Sequence, residues 1–360
     1  MTPNSVWKRV HLVAPHRICG LLAPLVIYGS HPLTLKRADG IVLDKPGKSS
    51  YDSASSFRVI VLLQTFSKIL ERIMNSRLSC LARVTGLINP HQCGSLAGLS
   101  ASDTTTTLTH EVKTLQIAGR KVSTLFLDIK GGFDKVNPAT LCGTLKAKGV
   151  NPYLVSWTKS FLSGRTCRIL YQRSPKVFAP VSVGTPHGSP ISPLLFVIYV
   201  SSLHCSIPRG LFLSYIDDFG LTASSTCYRR KIQILQKQYA GLKAKGAQRG
   251  VSFPIPKTEL IHWRTNRDRG PNSSAPIHLD GLVFIPKKEV RWLGYLFTPS
   301  LSTTPHFVKR LAKAQAAFVA VKGSPLRGWA FPPSSAIGWP PPSSSPSSGT
   351  ARTPSHPQPT

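Results

Sequence analysis

The chain has 360 residues, 41% of them hydrophobic, which is enough to bury a core spread over two or three subdomains. Its 45 Lys and Arg against 14 Asp and Glu leave a net charge of +31, spread over many separate segments; this favours a polyanionic partner, most simply nucleic acid, over a merely soluble basic protein. Seven cysteines, an odd number with no C-x-x-C pair, argue against a disulfide framework or a zinc site and fit a reducing compartment.

Residues 1–35 read as an ill-defined leader. The apolar run 18–28 follows Lys8, Arg9 and Arg17 and superficially resembles a signal peptide. It is too short to span a bilayer, Pro24 interrupts it, and no membrane partner is expected. Residues 40–43 and 57–63 read as two strands around a basic turn at 44–48. Phe66, Ile69, Leu70, Ile73, Met74 and Leu81 recur at helical spacing, with Lys68, Glu71 and Arg72 turned outward. Residues 89–94 end that region, and 104–115 predict a helix leading into the next strand. Helices are predicted over 138–148 and 153–162, with Trp157 and Phe161 as core partners one turn apart. Residues 167–171 and 177–183 read as strands around a turn at Ser174 and Pro175, and the seven-residue apolar run 194–200 reads as core. Ile232, Leu235, Tyr239 and Leu242 form the apolar stripe of a helix whose outer face carries Arg229, Arg230, Lys231, Lys237, Lys243 and Lys245. Strands are expected at 251–253 and 260–263 around Pro256, Lys257 and Thr258, and a last helix over 306–321. Residues 323–360 are rich in Pro and Ser and hold no acid, so they are expected to form a disordered tail.

Three stretches carry chemistry. In 211–222, apolar and aromatic residues surround Asp217 and Asp218, the only adjacent pair of acids in the chain. Apolar runs on both sides, with Gly220 just past the acids, read as strand, tight turn, strand. Two neighbouring carboxylates repel and raise each other's pKa, so such a tip attracts divalent metal; an exposed acidic turn is the plainer alternative. In 121–128 a second apolar strand ends in Asp128. Two acid-tipped strands meeting in one sheet match the demand of two-metal phosphoryl transfer. Between them, 184–193 is a Gly/Pro/Ser turn leading into a helix.

In this order the three stretches resemble the palm of a reverse transcriptase of the non-LTR (LINE-like) retrotransposon family, and the resemblance extends over residues 36–322. Residues 126–134 resemble the strand carrying the first metal ligand, 184–193 the loop and helix under the template–primer, and Tyr215-Ile216-Asp217-Asp218 the signature hairpin. The resemblance implies an α+β right-hand polymerase fold with an antiparallel palm sheet. Fingers and first palm helices would occupy 36–125, the palm with its catalytic and primer-grip-like hairpins 126–298, and a partial thumb helix 299–322. It implies an RNA-directed DNA polymerase using RNA template, DNA primer and deoxynucleoside triphosphates, with Mg²⁺, or Mn²⁺ in its place. Asp128 and Asp217 would hold the metals, Asp218 would support them, and Lys257 would give a proton to leaving pyrophosphate. Arg58, with Lys45 second to it, would reach the triphosphate. Gly184, Pro186, His187 and Gly188 would form the surface under the base pair. Phe133 would exclude a ribose 2′-OH, unless it is a core aromatic. Gly294 would let the backbone approach the primer. An intracellular protein is implied, in the nucleus for target-site priming or in the cytoplasm.

The chain departs from the family at three places. Val59 follows Arg58 where Pro is common, residues 95–100 hold no arginine, and His187 stands where Gln is usual. With no nuclease constellation visible, the chain reads as a truncated element, and the alternative to an active enzyme is an inactive nucleic-acid-binding remnant. Phe133 and the 184–193 loop argue against an RNA-dependent RNA polymerase.

Overall fold

The segment Lys121–Asp128 is buried at six successive positions, as expected of a strand covered on both faces. Around it the computed structural model describes residues 4–47, 50–96, 98–170, 177–204, 210–265 and 275–322. The strands are β1 (Arg37–Asp44), β2 (Phe57–Leu62), β3 (Gln92–Cys93), β4 (Lys121–Asp128), β5 (Arg165–Leu170), β6 (Ala179–Val181), β7 (Gly210–Tyr215), β8 (Asp218–Ser225), β9 (Glu259–Trp263), β10 (Ile277–Leu279), β11 (Leu282–Phe284), β12 (Val290–Trp292) and β13 (Tyr295–Phe297). The helices are α1 (Asn4–Val13), α2 (Pro15–Ile27), α3 (Thr65–Val84), α4 (Ala101–Ile117), α5 (Pro138–Ala147), α6 (Pro152–Leu162), α7 (Ser192–Ser201), α8 (Tyr228–Gln248) and α9 (Thr304–Lys322).

The central sheet has the order β3-β7-β8-β4-β9 and is antiparallel except for the short β3 edge, which runs parallel to β7. Alternation along β4 divides its side chains between two cores. Leu125 and Leu127 face α3, α5, α6, α7 and α8, while Val122 and Phe126 face Leu108 and Val112 of α4 and Trp292 of β12. Thr124 lies inside the sheet with its hydroxyl satisfied by Thr222 at 2.7 Å and by the Trp263 indole N–H at 2.8 Å. Every side chain of α7 except Pro193 in its first turn is buried, as the apolar run that follows requires. A second sheet, β2-β1-β5-β6, pairs β1 antiparallel to β2 and parallel to β5. Helix starts follow sequence-encoded caps: Ser100 and Asp103 form a capping box on α4, and Asn137 and Asn151 cap α5 and α6.

Four readings of the sequence are corrected. Residues 1–35 are not an ill-defined leader in their described part. They form α1 and α2, and Ile18, Leu22 and Val26, spaced one turn apart, are buried in the main core, with Trp7 packed on Phe66 at 4.9 Å. Glu71 faces inward rather than outward, on the same side of α3 as Ser67, Met74 and Leu78. Lys231 is buried rather than part of the basic face, its ammonium 3.8 Å from the centre of the Tyr228 ring. Residues 251–253 form no strand; Ser252 instead accepts the Lys130 backbone N–H at 2.9 Å. The turn at 174–175 and the segment 323–360 lie outside the described residues.

The chain divides into two units, residues 1–306 and 307–360, and the described part of the second is the helical stretch 307–322. Among the described residues no single helix is long and apolar enough to cross a membrane.

Candidate active site

β7 and β8 are joined by only two residues, Ile216 and Asp217, with Tyr215 and Asp218 paired across the hairpin base. The turn forces Ile216 to φ +55°, a left-handed conformation that a β-branched residue rarely takes. The edge segment around β3 holds it there. Ile216 donates its N–H to Cys93 O at 3.1 Å, and Gln92 donates its side-chain amide to Ile216 O at 3.3 Å. Gly94, at φ +84°, is required beside it, because a Cβ there would stand 2.6 Å from the Ile216 side chain. Strain of this kind at a turn bearing acids is characteristic of a functional site.

Asp128, the last residue of β4, is the register partner of Asp218. Asp128, Asp217 and Asp218 therefore gather at one end of the central sheet. Burial, followed by the charges of Asp217 and Asp128, pushes the Asp218 pKa up to about 6. Burial also raises Asp217, with the Asp128 charge adding to it and a backbone hydrogen bond opposing it. Lys257, from the short helical turn Ile255–Lys257 before β9, donates its ammonium to Asp128 Oδ2 at 2.6 Å. Asp128 remains 24% exposed and Lys257 64%, so this corner of the site is open to solvent.

Among the described residues no group of three or more His, Cys, Asp or Glu side chains forms a ready metal site. Mg²⁺ needs none, because it is usually held by one or two carboxylates together with substrate phosphates. Asp217 and Asp218, whose charged forms are disfavoured by burial and by the neighbouring acids, with Asp128 paired opposite Asp218, fit that ion.

The loop beginning at Gly184 lies against the residues that follow β4. Gly184 and Thr185 donate backbone N–H groups to Val136 O and Phe133 O, each at 2.8 Å. Gly184 sits at φ +81°, and a Cβ there would lie 2.8 Å from Asp134 O. Pro186 accepts the Ser189 N–H at 3.2 Å, closing the turn. His187 is bonded through Nε2 to Asp134 Oδ1 at 3.0 Å, and this bond, with the charge of Lys45 adding to it, holds the Asp134 carboxyl below its usual range. Gly188 passes so close to β2 that a Cβ would meet Val61 O at 2.6 Å, and Val61 N–H donates to His187 O at 2.8 Å. Phe133 is half-buried, stacked on Phe196 at 4.8 Å and tilted against His187 at 5.2 Å. Arg58 is exposed on β2, three residues before Val61. Asp128, Asp217, Asp218 and Lys257 thus form one cluster. Phe133, Gly184, Pro186, His187 and Gly188 form the adjoining loop surface, to which β2 is tied by Val61.

A family profile described as Reverse transcriptase (RNA-dependent DNA polymerase) matches residues 43–297. The chain belongs to the reverse transcriptase family. Its relatives are the polymerases of non-LTR retrotransposons. It is 30% identical over 293 residues to the RNA-directed DNA polymerase from mobile element jockey of Drosophila melanogaster, covering 77% of this chain and 30% of the relative. It is 27% identical over 282 residues to the probable RNA-directed DNA polymerase from transposon BS of the same species, covering 76% of this chain and 31% of the relative. The chain thus spans about a third of the length of the curated relatives it matches. The apo telomerase of Candida tropicalis, truncated from its C-terminal domain, has the same fold, with a TM-score of 0.51 at 11% identity over 75% of this chain and 55% of the telomerase chain. The fold is the right-hand polymerase fold of reverse transcriptases.

Sequence reasoning missed several supports of the site. Asp134 ends the 126–134 stretch with nothing in the sequence to mark its partner, and only the fold brings it to His187. The two-residue β3 gives no periodic signal at all. Glu71 did leave one: it shares the spacing of Ser67, Met74 and Leu78, the buried face of α3.

Proposed function

We propose that this chain is an RNA-directed DNA polymerase domain that extends a primer 3′-OH with deoxynucleotides, releasing pyrophosphate. The observation that carries this reading is the register pairing of Asp128 with Asp218, with Asp217 next to them in a strained turn. Asp128 and Asp217 would hold divalent cations, with Asp218 in support. When bound, Mg²⁺ or Mn²⁺ would supply Lewis-acid stabilisation of the charge developing in phosphoryl transfer. The chain's own residues position the reactants. Lys257 holds the Asp128 carboxylate by its ion pair, and in this reading its ammonium would give a proton to leaving pyrophosphate. In this reading the loop of Gly184, Pro186, His187 and Gly188 would lie under the template–primer, and Arg58, with Lys45 second to it, would reach the triphosphate. RNA template, DNA primer and deoxynucleoside triphosphates are the partners of this reading, which places the work in the nucleus or cytoplasm.

Primer extension on an RNA template tests it. Asp128→Asn and Asp217→Asn should each lower extension by about 10²–10³-fold, the scale for losing one charge-stabilising group, while template binding stays intact. Near-normal extension by either variant would sink the metal assignment. The rival, an inactive nucleic-acid-binding remnant, draws on His187, whose ring is engaged by Asp134. It predicts binding without extension by the parent protein.

A further inference from the structure

Glu71 is a wholly buried carboxylate outside the catalytic cluster, at 0% exposure. Burying a carboxylate is costly unless its oxygens are bonded. Here one oxygen accepts the Ser67 hydroxyl at 2.6 Å and the other accepts the Ser189 hydroxyl. Ser67 is also hydrogen-bonded to His31 Nε2 at 3.2 Å. Burial, and then the charge of Lys36, lowers His31 to about 4, so the imidazole is neutral at pH 7 and gives Glu71 no countercharge. Burial raises the Glu71 pKa, and the Ser189 and Ser67 hydroxyls oppose the rise.

Ser189 closes the loop that begins at Gly184 and is itself only 5% exposed. The opposite end of the loop is held by a buried group of the other sign. Arg165 donates to Val183 O at 3.2 Å and to Gly184 O. Between the two anchors the chain passes Gly188, which has no room for a side chain, and His187, whose carbonyl accepts the β2 backbone. A shift of Ser189 is therefore carried to His187 and to the face that meets Phe133 and Asp134.

We propose that Glu71 is a positioning residue for the 184–189 loop, acting through the Ser189 hydroxyl to set the surface offered to the template–primer; the template–primer part rests on the polymerase reading above. Replacing a buried ionic group by an apolar one of similar size often leaves stability unchanged, so a defect in the loop can be read apart from a loss of stability.

The test uses the full chain and the variants Glu71→Leu, Glu71→Gln, Ser189→Ala and the Leu/Ala double. Amide hydrogen exchange over 184–190 reads the loop without reference to activity. Steady-state kinetics reads KM for an RNA–DNA template–primer apart from kcat. Glu71→Leu and Ser189→Ala should each speed exchange in the loop and raise that KM about tenfold, as expected for one lost hydrogen bond to a charged group. kcat should stay within about twofold, because only ground-state placement of the template–primer is loosened. The double variant should be no worse than Glu71→Leu alone, since Glu71→Leu already breaks the bond to Ser189 along with that to Ser67. Glu71→Gln, which can accept from one serine and donate to the other, should restore most of the parent behaviour. Unchanged exchange in Glu71→Leu, additive defects in the double variant, or losses that track Tm alone would overturn the assignment. If the parent extends no primer and loop exchange still responds to Glu71, the positioning role stands and the polymerase reading fails.

Discussion

At the scale of single residues, Asp218 ties the chemistry of the site to the stability of the fold. Its carboxyl titrates at about 6 in the folded chain against 3.8 when free. The folded state therefore holds that proton more tightly, and stability falls as the pH rises from about 4 through 6. The cost is fully present above about 6 and absent below about 4. Asp218→Asn removes it, so the variant should be more stable than the parent by on the order of 1 kcal/mol at pH 7.5, allowing for solvent screening. That advantage should shrink as the pH is lowered through 6. Thermal melts of both proteins across this range check the sign; an advantage that grew toward acid would contradict it. A site residue that destabilises the fold at working pH is the usual compromise between stability and activity.

Phe133 makes a second prediction at this scale. Its ring stacks on Phe196 in the core and lies tilted against His187 in the loop, so a packing role does not preclude a gating one. Gly132 allows that approach, because a Cβ there would lie 2.7 Å from the Phe196 ring. Phe133→Val should keep deoxynucleotide incorporation and gain ribonucleotide incorporation, since discrimination by exclusion needs only the loss of the obstacle. A ring that serves only the core would instead cost up to about 3–5 kcal/mol on deep truncation and lower both incorporations together. Measuring both rates in one preparation separates the outcomes by their ratio.

At the scale of elements, the strands and helices with unbroken periodicity were legible. The β1–β2 pair, the acid-tipped β7–β8 hairpin and α3 to α7 stand where alternation, helical spacing and turn residues placed them, and the hairpin around Gly294 stands where the family resemblance implied one. The acid-tipped strands predicted a shared sheet, and the Asp128–Asp218 register delivers it. What stayed hidden depends on long-range partners. Nothing near Glu71 in sequence reveals Ser189, and nothing near Lys231 predicts its burial in place of an exposed basic face. The two-residue β3 owes its existence to β7 rather than to its own residues. The first helices were misread for a different reason. An apolar run with an internal proline fits a signal-like segment and a core helix alike, and only its packing decides between them. Leu22 gives the experiment. It is 5% exposed in the main core, so Leu22→Ala should cost about 2–5 kcal/mol, the range for truncating a buried leucine. A leader lying outside the fold would leave the denaturant midpoint unchanged.

At the scale of the whole molecule, the charge of +31 and the carboxylate cluster make opposite demands. The acids repel a nucleic-acid backbone, and the surrounding cations must outweigh them before a template can reach the site. With only 14 acids in the chain, three of them gathered at one end of the central sheet, most of the remaining surface carries a positive field. Binding driven by such a field releases counterions, and each phosphate neutralised on a single strand contributes about −0.7 to the slope of log affinity against log salt. Roughly six such contacts would give a slope near −4. RNA binding should therefore be tight, little dependent on sequence, and steeply weakened between low and moderate salt. Asp128→Asn should leave that slope unchanged, because it removes a site acid and no phosphate contact. Titrations of a labelled single-stranded RNA over a series of NaCl concentrations measure the slope directly. A flat response would show that the excess charge is not the binding surface and that recognition rests on the site alone.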